Sequence, residues 1–292
     1  MAGGFVTNSG SETGGLIGYS RVEADGSTTS VAVSGAGARI GGLSGHVDCG
    51  GCDGFNIGNS SASGAVTFLG SVVDVGGVCG LIGRLAGGRV SPSFATGTVT
   101  DLKIVGGLVG HAAGRVEDAY ALGEVVYPGS WLSGHGNFGG VIGGEDPTCN
   151  VVGTPGVERG YSGSTAVPLE PAILPTGAFG SGAFSSGDAG TGVLLYANAY
   201  FWQEPENAGV VPGYARGVPE GSVESENPAD ISGLGSLTSA GPFGGFDFAV
   251  GGAWRMATAN PNARGGASRP CSRGSVVETP SSARRLEGRV MR

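Results

Sequence analysis

Val105-Gly-Gly-Leu-Val-Gly110, followed by Gly114-Arg-Val-Glu-Asp-Ala-Tyr-Ala-Leu-Gly-Glu-Val125, decides the fold, because its pattern is written several times in the chain. The tetrad Gly-apolar-x-Gly recurs at Gly15-Leu16-Ile17-Gly18, Gly42-Leu43-Ser44-Gly45, Gly80-Leu81-Ile82-Gly83, Gly107-Leu108-Val109-Gly110 and Gly140-Val141-Ile142-Gly143. Two of the four steps between tetrads are 27 residues. A second signature follows three of them: an apolar residue, Gly seven positions later, and Val two further on. Its copies are Ile57/Gly64/Val66, Val90/Gly97/Val99 and Val116/Gly123/Val125, with Ser61-Ala62, Phe94-Ala95 and Tyr120-Ala121 at the same places inside them. Three offsets kept in three copies mark a structural repeat. A fourth copy, Val157 with Tyr161-Ser162-Gly163, reads as one residue short, and Gly3-Gly4-Phe5-Val6 reads as a tetrad, so that the chain is expected to begin inside a repeat array.

Short apolar stretches punctuated by fixed glycines predict an all-β fold, a parallel β-helix or solenoid in which each strand pairs with its equivalent about 4.8 Å away. The crossover rule makes such a coil right-handed. No coil buries its apolar face alone, so the repeat core, Leu16, Leu43, Leu81, Leu108, Val116, Tyr120 and Val125, is expected to stack from coil to coil, with Tyr120 over Phe94. Insertions relative to the repeat fall at residues 46–56, 67–75, 126–137 and 144–156. Variable corners of a regular scaffold are where binding residues accumulate.

Composition agrees with this reading. The 62 glycines lack the Gly-X-Y spacing of collagen, and 39% hydrophobic residues are too many for a disordered linker. The net charge is −8 and Lys103 is the one lysine, which argues against binding nucleic acid through its phosphates. Seven arginines against Glu278 and Glu287 make the segment from Arg264 to Arg292 net +5, leaving −13 for the rest of the chain. That tail, rich in Ser, Gly and Pro, is expected to be disordered. No apolar run reaches 18 residues, so no membrane span is expected, and the first residues lack the basic and apolar regions of a signal peptide.

The run from Val105 to Val125, and Gly80-Leu-Ile-Gly83 with Gly88-Arg-Val-Ser-Pro-Ser-Phe-Ala-Thr-Gly-Thr-Val99, resemble the GLUG motif of bacterial surface proteins. The resemblance extends over roughly residues 14–165. Tyr200-Phe201-Trp202, Leu237-Thr238 and Phe246-Asp-Phe248 with Trp254-Arg-Met256 are similar to the segment that often follows such repeats, and these aromatics suit a cap over the last coil. The implied organisation is repeats at 1–168, a Gly/Ser/Pro-rich connection at 169–192, a capping segment at 193–259 and the Arg-rich tail at 260–292. GLUG repeats occur in adhesin-like proteins and beside the catalytic domains of some IgA-specific metallopeptidases. The resemblance therefore implies a secreted or cell-surface module that is not an enzyme, needs no cofactor, and binds a glycan or a host or matrix protein. A stalk that spaces another domain is the alternative.

Candidate chemistry is sparse. His46-Val-Asp48-Cys49-Gly-Gly-Cys52-Asp53 supplies half of a zinc site, two thiolates and an imidazole, but His111, His135 and Cys79 lie at no supporting spacing. A local Cys49–Cys52 disulfide is preferred, free thiols are the other reading, and no metal is assigned. Glu145-Asp146 and Asp48/Asp53 are too few for a calcium loop. Many polysaccharide-cleaving enzymes are β-helices and use paired carboxylates, so Asp74 and Asp101, 27 residues apart, with Lys103 and Arg115, are the residues an enzyme of that kind would use here. Nucleophile-elbow, P-loop and His-Glu-x-x-His motifs are absent.

Overall fold

The computed structural model describes residues 4–49, 56–70, 76–101, 104–127, 137–145, 156–164, 166–168, 195–201, 229–230, 243–249, 252–256 and 270–272. These form strands and turns with no helix, and all but one strand pair belong to five parallel sheets. Sheet 1 contains Glu12–Gly14, Arg39–Gly41, Val78–Cys79, Ile104–Gly106 and Asn137–Gly139. Sheet 2 contains Ile17–Ser20, Ser44–Val47, Ile82–Leu85, Val109–Ala112 and Ile142–Glu145. Sheet 3 runs through Ala24–Asp25, Asn56–Gly58, Arg89–Val90, Arg115–Glu117, Gly156–Glu158 and Leu195–Ala197. Sheet 4 runs through Thr28–Thr29, Ser60–Ala62, Ser93–Ala95, Tyr120–Ala121, Tyr161–Ser162, Tyr200–Phe201 and Ala229–Asp230. Sheet 5 starts with Phe5–Asn8 and continues with Ala32–Gly35, Val66–Phe68, Val99–Thr100, Val125–Tyr127 and Ala166–Pro168. From Glu12 to Pro168 the chain visits sheets 1 to 5 in order five times, one coil at a time.

The glycines of the repeat sit where coils approach most closely. A Cβ on Gly42, Gly80 or Gly107, the first residue of a tetrad, would lie 2.1, 2.2 or 2.0 Å from the carbonyl oxygen of the equivalent glycine one coil on. On Gly97 and Gly123 of the second signature it would lie 1.9 and 2.0 Å from the carbonyls of Gly64 and Gly97. Both columns are therefore glycine for lack of axial room, not for an unusual φ. Between them, each tetrad leucine donates its N–H to the next coil: Leu43 to Leu81 at 2.9 Å, Leu81 to Leu108 at 3.0 Å and Leu108 to Val141 at 2.9 Å. Leu43, Leu81, Leu108, Val116, Tyr120 and Val125 are buried, and the Phe94 and Tyr120 rings stack with centroids 5.0 Å apart. Leu16, expected in the core, is 58% exposed. Its amide bonds to Leu43, but among the described residues no strand of sheets 1 to 4 lies on its other side.

Register changes three readings. Val157, Tyr161, Ser162 and Ala166 pair with Val116, Tyr120, Ala121 and Val125, so the fourth copy of the second signature has full length, with Ser164 at the glycine place and Ala166 at the valine place. Phe5-Val6 is not a tetrad. Val6 pairs with Val33, which pairs with Val66, so Gly4 and Val6 match Gly64 and Val66 of the second signature. The aromatics near the C-terminus also lie elsewhere than over a last coil. Ala62, Ala95 and Ala121 of sheet 4 face the interior, whereas Phe94, Tyr120 and Tyr161 form a separate cluster with Phe243, Phe246 and Trp254. An outward aromatic ladder needs an apolar cover, and residues 243–249 and 252–254 supply it as a strap on the outer side of sheet 4. Trp254 stacks on Phe246 at 4.2 Å and meets Tyr120 at 6.2 Å. Trp254–Met256 pairs antiparallel with Pro270–Ser272, which places a strand inside the segment expected to be disordered; Trp202, Leu237 and Thr238 lie outside the described residues.

Candidate functional site

Three of the five corners have fixed length. From sheet 1 to sheet 2 the paired positions Thr13/Ile17, Ile40/Ser44, Val78/Ile82 and Val105/Val109 are all four residues apart. From sheet 3 to sheet 4, Ala24/Thr29, Ile57/Ala62, Val90/Ala95, Val116/Ala121 and Val157/Ser162 are all five apart. From sheet 4 to sheet 5, Thr29/Val33, Ala62/Val66, Ala95/Val99 and Ala121/Val125 are four apart. The other two corners vary. Sheet 2 connects to sheet 3 across Val47 to Asn56 and Glu145 to Gly156, but across only Ala112 to Arg115 in the fourth coil. Sheet 5 connects to sheet 1 across Phe68 to Val78 and Tyr127 to Asn137, but across only Thr100 to Ile104 between the third and fourth coils. All four insertions expected from the sequence fall at these two corners.

Charged side chains gather in two groups. Next to sheet 1, the residue after each tetrad forms one column on sheet 2: Tyr19 pairs with His46, His46 with Arg84, and Arg84 with His111. His46 is 6% exposed; its Nδ1 is 3.8 Å from Glu12 Oε1, its ring meets Tyr19 edge-on at 5.0 Å, and neither ring nitrogen has a hydrogen-bond partner. Burial, reinforced by the charges of Arg39 and Arg84, pushes its pKa down to about 4, so the ring is neutral at pH 7. Glu12 also accepts from Ser11 and from Arg39 at 2.5 Å. Burial alone would raise its carboxyl, but those hydrogen bonds and the Arg39 charge hold it below the usual value. Asp48 accepts from Tyr19 Oη at 2.9 Å and from Arg21 at 3.4 Å.

The second group lies where sheet 3 turns into sheet 4. Asn59, Asp118, Arg159 and Asn198 occupy one column with φ of 48°, 48°, 52° and 50°, the left-handed conformation in which Asn and Asp are tolerated best. Arg159 makes a two-pronged contact with Asp118, Nε to Oδ1 at 2.8 Å and Nη2 to Oδ2 at 3.0 Å, and also pairs with Glu158. Its hydrogen bond to Asp118 outweighs partial burial and raises its pKa. Trp254 Nε1 donates to Asp118 Oδ1 at 2.9 Å, which ties the strap to this corner. Glu117 is 3.4 Å from Arg89.

The residues singled out from sequence do not converge. Cys49 packs against the main apolar cluster with Val47 and Ile57, while His46 lies among charged groups; Cys52 and Asp53 are outside the described residues. Asp101 is 3% exposed, and its Oδ2 accepts the Ile104 N–H at 3.2 Å, the geometry of a turn brace. Asp74, Lys103, His135 and Asp146 are outside the described residues. Arg115 is exposed and stands beside Arg89 in register. Among the described residues no three His, Cys, Asp or Glu side chains gather as a metal would require, and no helix is long and apolar enough to cross a membrane. The column Tyr19, His46, Arg84, His111 was readable in the sequence as the position following each tetrad. The Arg159–Asp118–Trp254 contact spans too much sequence to be read that way. Comparison with protein-family models, with curated proteins and with solved structures finds no match.

Proposed function

We propose that the chain is a right-handed parallel β-helix of GLUG-type repeats, a secreted or cell-surface, adhesin-like module that binds through its variable corners and carries no catalytic centre of its own. The observation that carries this reading is the restriction of every insertion to two of the five corners, while the other three keep their length through all coils. A scaffold that only spaces other domains has no reason to lengthen the same two corners repeatedly. A binding module does, because insertions there project from one framework without disturbing its axial packing. The partner is a neutral or cationic surface, a glycan or a matrix protein, since the body of the chain is acidic.

The test is retention of the purified chain on an immobilised panel of glycans and matrix proteins, with released reducing sugar measured in the same wells. Retention without release is expected. Replacing residues 48–55 or 146–155 by the short connection of the fourth coil is expected to abolish retention while leaving circular dichroism unchanged. Release of sugar refutes the non-enzymatic reading, and retention unaffected by both replacements refutes the assignment to the corner between sheets 2 and 3.

A further inference from the structure

We propose that His46 is an acid-responsive clasp between the first two coils, released when its ring takes up a proton. The geometry comes first. His46 sits on the second strand of sheet 2 and is enclosed by groups from every neighbouring element: Glu12 and Arg39 from sheet 1, Tyr19 and Arg84 from the strands on either side, and Asp48 from the chain just beyond it. Glu12 belongs to the first coil and Arg39 to the second, and their 2.5 Å contact joins the two. The Tyr19–Asp48 hydrogen bond does the same.

Protonation puts a third positive charge between Arg39 and Arg84. The carboxylates near enough to compensate are Glu12, already engaged by Arg39 and Ser11, and Asp48, already engaged by Tyr19 and Arg21. Neither ring nitrogen has an acceptor in place for the added proton. A charged ring is therefore accommodated only by swinging into water, which gives up its two contacts with the first coil, the edge-on packing against Tyr19 and the approach to Glu12. The first coil is the one that opens, because among the described residues its strands in sheets 1 to 4 are paired on one side only and Leu16 is 58% exposed.

The sign follows from linkage. A histidine held at about 4 in the closed state and near 6.5 in the open state favours opening as pH falls between those values. Opening of the first coil is expected to rise about 20-fold from pH 7 to pH 5 and about a hundredfold by pH 4, with the later coils unaffected.

Site-resolved hydrogen exchange on the wild-type chain and on His46→Gln, from pH 7 to pH 5, tests this. After correction for intrinsic exchange rates, wild-type amides of residues 12–20 are expected to lose protection as the solution is acidified while those of residues 104–121 do not, and His46→Gln is expected to show no pH dependence in residues 12–20. Equal acid loss in both proteins, or none in either, overturns the clasp. Should His46→Gln not fold, NMR titration of the wild-type imidazole decides. A midpoint near 4 with coupled shifts in residues 12–20 supports the clasp; a midpoint near 6.5, or no coupled shifts, overturns it.

Discussion

Replacing Leu81 by alanine tests the stacked core where it is most closed. Leu81 is fully buried, with its backbone hydrogen-bonded between Leu43 and Leu108, so apolar neighbours meet it from both coils. Removing three side-chain carbons forfeits about 2.4 kcal/mol of transfer free energy at about 0.8 kcal/mol each. A rigid coil cannot collapse into the space, and the cavity brings the total to about 3–5 kcal/mol. Leu16→Ala is the matched control. The same chemistry at 58% exposure removes less than half of the transfer contribution, about 1 kcal/mol, and leaves no closed cavity. Equilibrium urea unfolding, followed by circular dichroism and by tryptophan fluorescence, measures both. Equal destabilisation by the two substitutions, or a loss under about 1 kcal/mol for Leu81→Ala, would refute the stacked arrangement of the tetrad leucines.

Gly97→Ala places a Cβ 1.9 Å from the Gly64 carbonyl and is expected to lose about 2–3 kcal/mol or more in the same urea assay, whereas Gly26→Ala, in open space at a φ of 64°, loses about 1 kcal/mol. Trp254→Phe keeps the ring stack but removes the donor to Asp118, and faster proteolytic cleavage between residues 243 and 256 is expected, equivalent to about 1–2 kcal/mol of strap stability. Burial pushes the Cys79 thiol well above its ordinary value, so peptide mapping after treatment with a thiol reagent at about pH 8 is expected to find Cys79 unmodified in the native chain and modified in urea.

What was legible in the sequence is what repeats along the axis. Gly42, Gly80 and Gly107 recur because each meets a carbonyl of the next coil, and Leu43, Leu81 and Leu108 recur because each is covered by the next. The same constraint acts on every coil, so it leaves a periodic trace. Contacts made once leave none. The strap on sheet 4 joins Trp254 to Asp118 over 136 residues, and nothing local in either stretch announces it. Leu16 shows the converse error: its motif is intact, but burial depends on a neighbour on both sides, which a motif does not encode. Gly4 and Val6 fit either glycine column by composition, and only strand register separates the two. His46 drew notice for its cysteine neighbours, yet its environment is set by Glu12, Arg39 and Arg84, which lie on other strands.

The distribution of corner lengths follows from the same axial constraint. At the corner between sheets 1 and 2 the first tetrad glycine touches the next coil's carbonyl, and an added residue would lift it out of that column in one coil and leave the coils on either side mismatched. The Gly64–Gly97–Gly123 column does the same between sheets 4 and 5, and between sheets 3 and 4 the amides of Gly26, Asp118 and Arg159 donate to the carbonyls of Gly58, Glu158 and Ala197 one coil on, at 3.0, 3.1 and 2.9 Å. Between sheets 2 and 3 the fourth coil crosses from Ala112 to Arg115 with Gly114 held 2.4 Å from the Gly88 carbonyl for a notional Cβ, while the second coil crosses from Val47 to Asn56, and both deliver Val116 and Ile57 to the same column. Length at that corner is thus decoupled from register. Sequence change there alters what the module presents without altering how its coils stack, which is the property a binding scaffold requires.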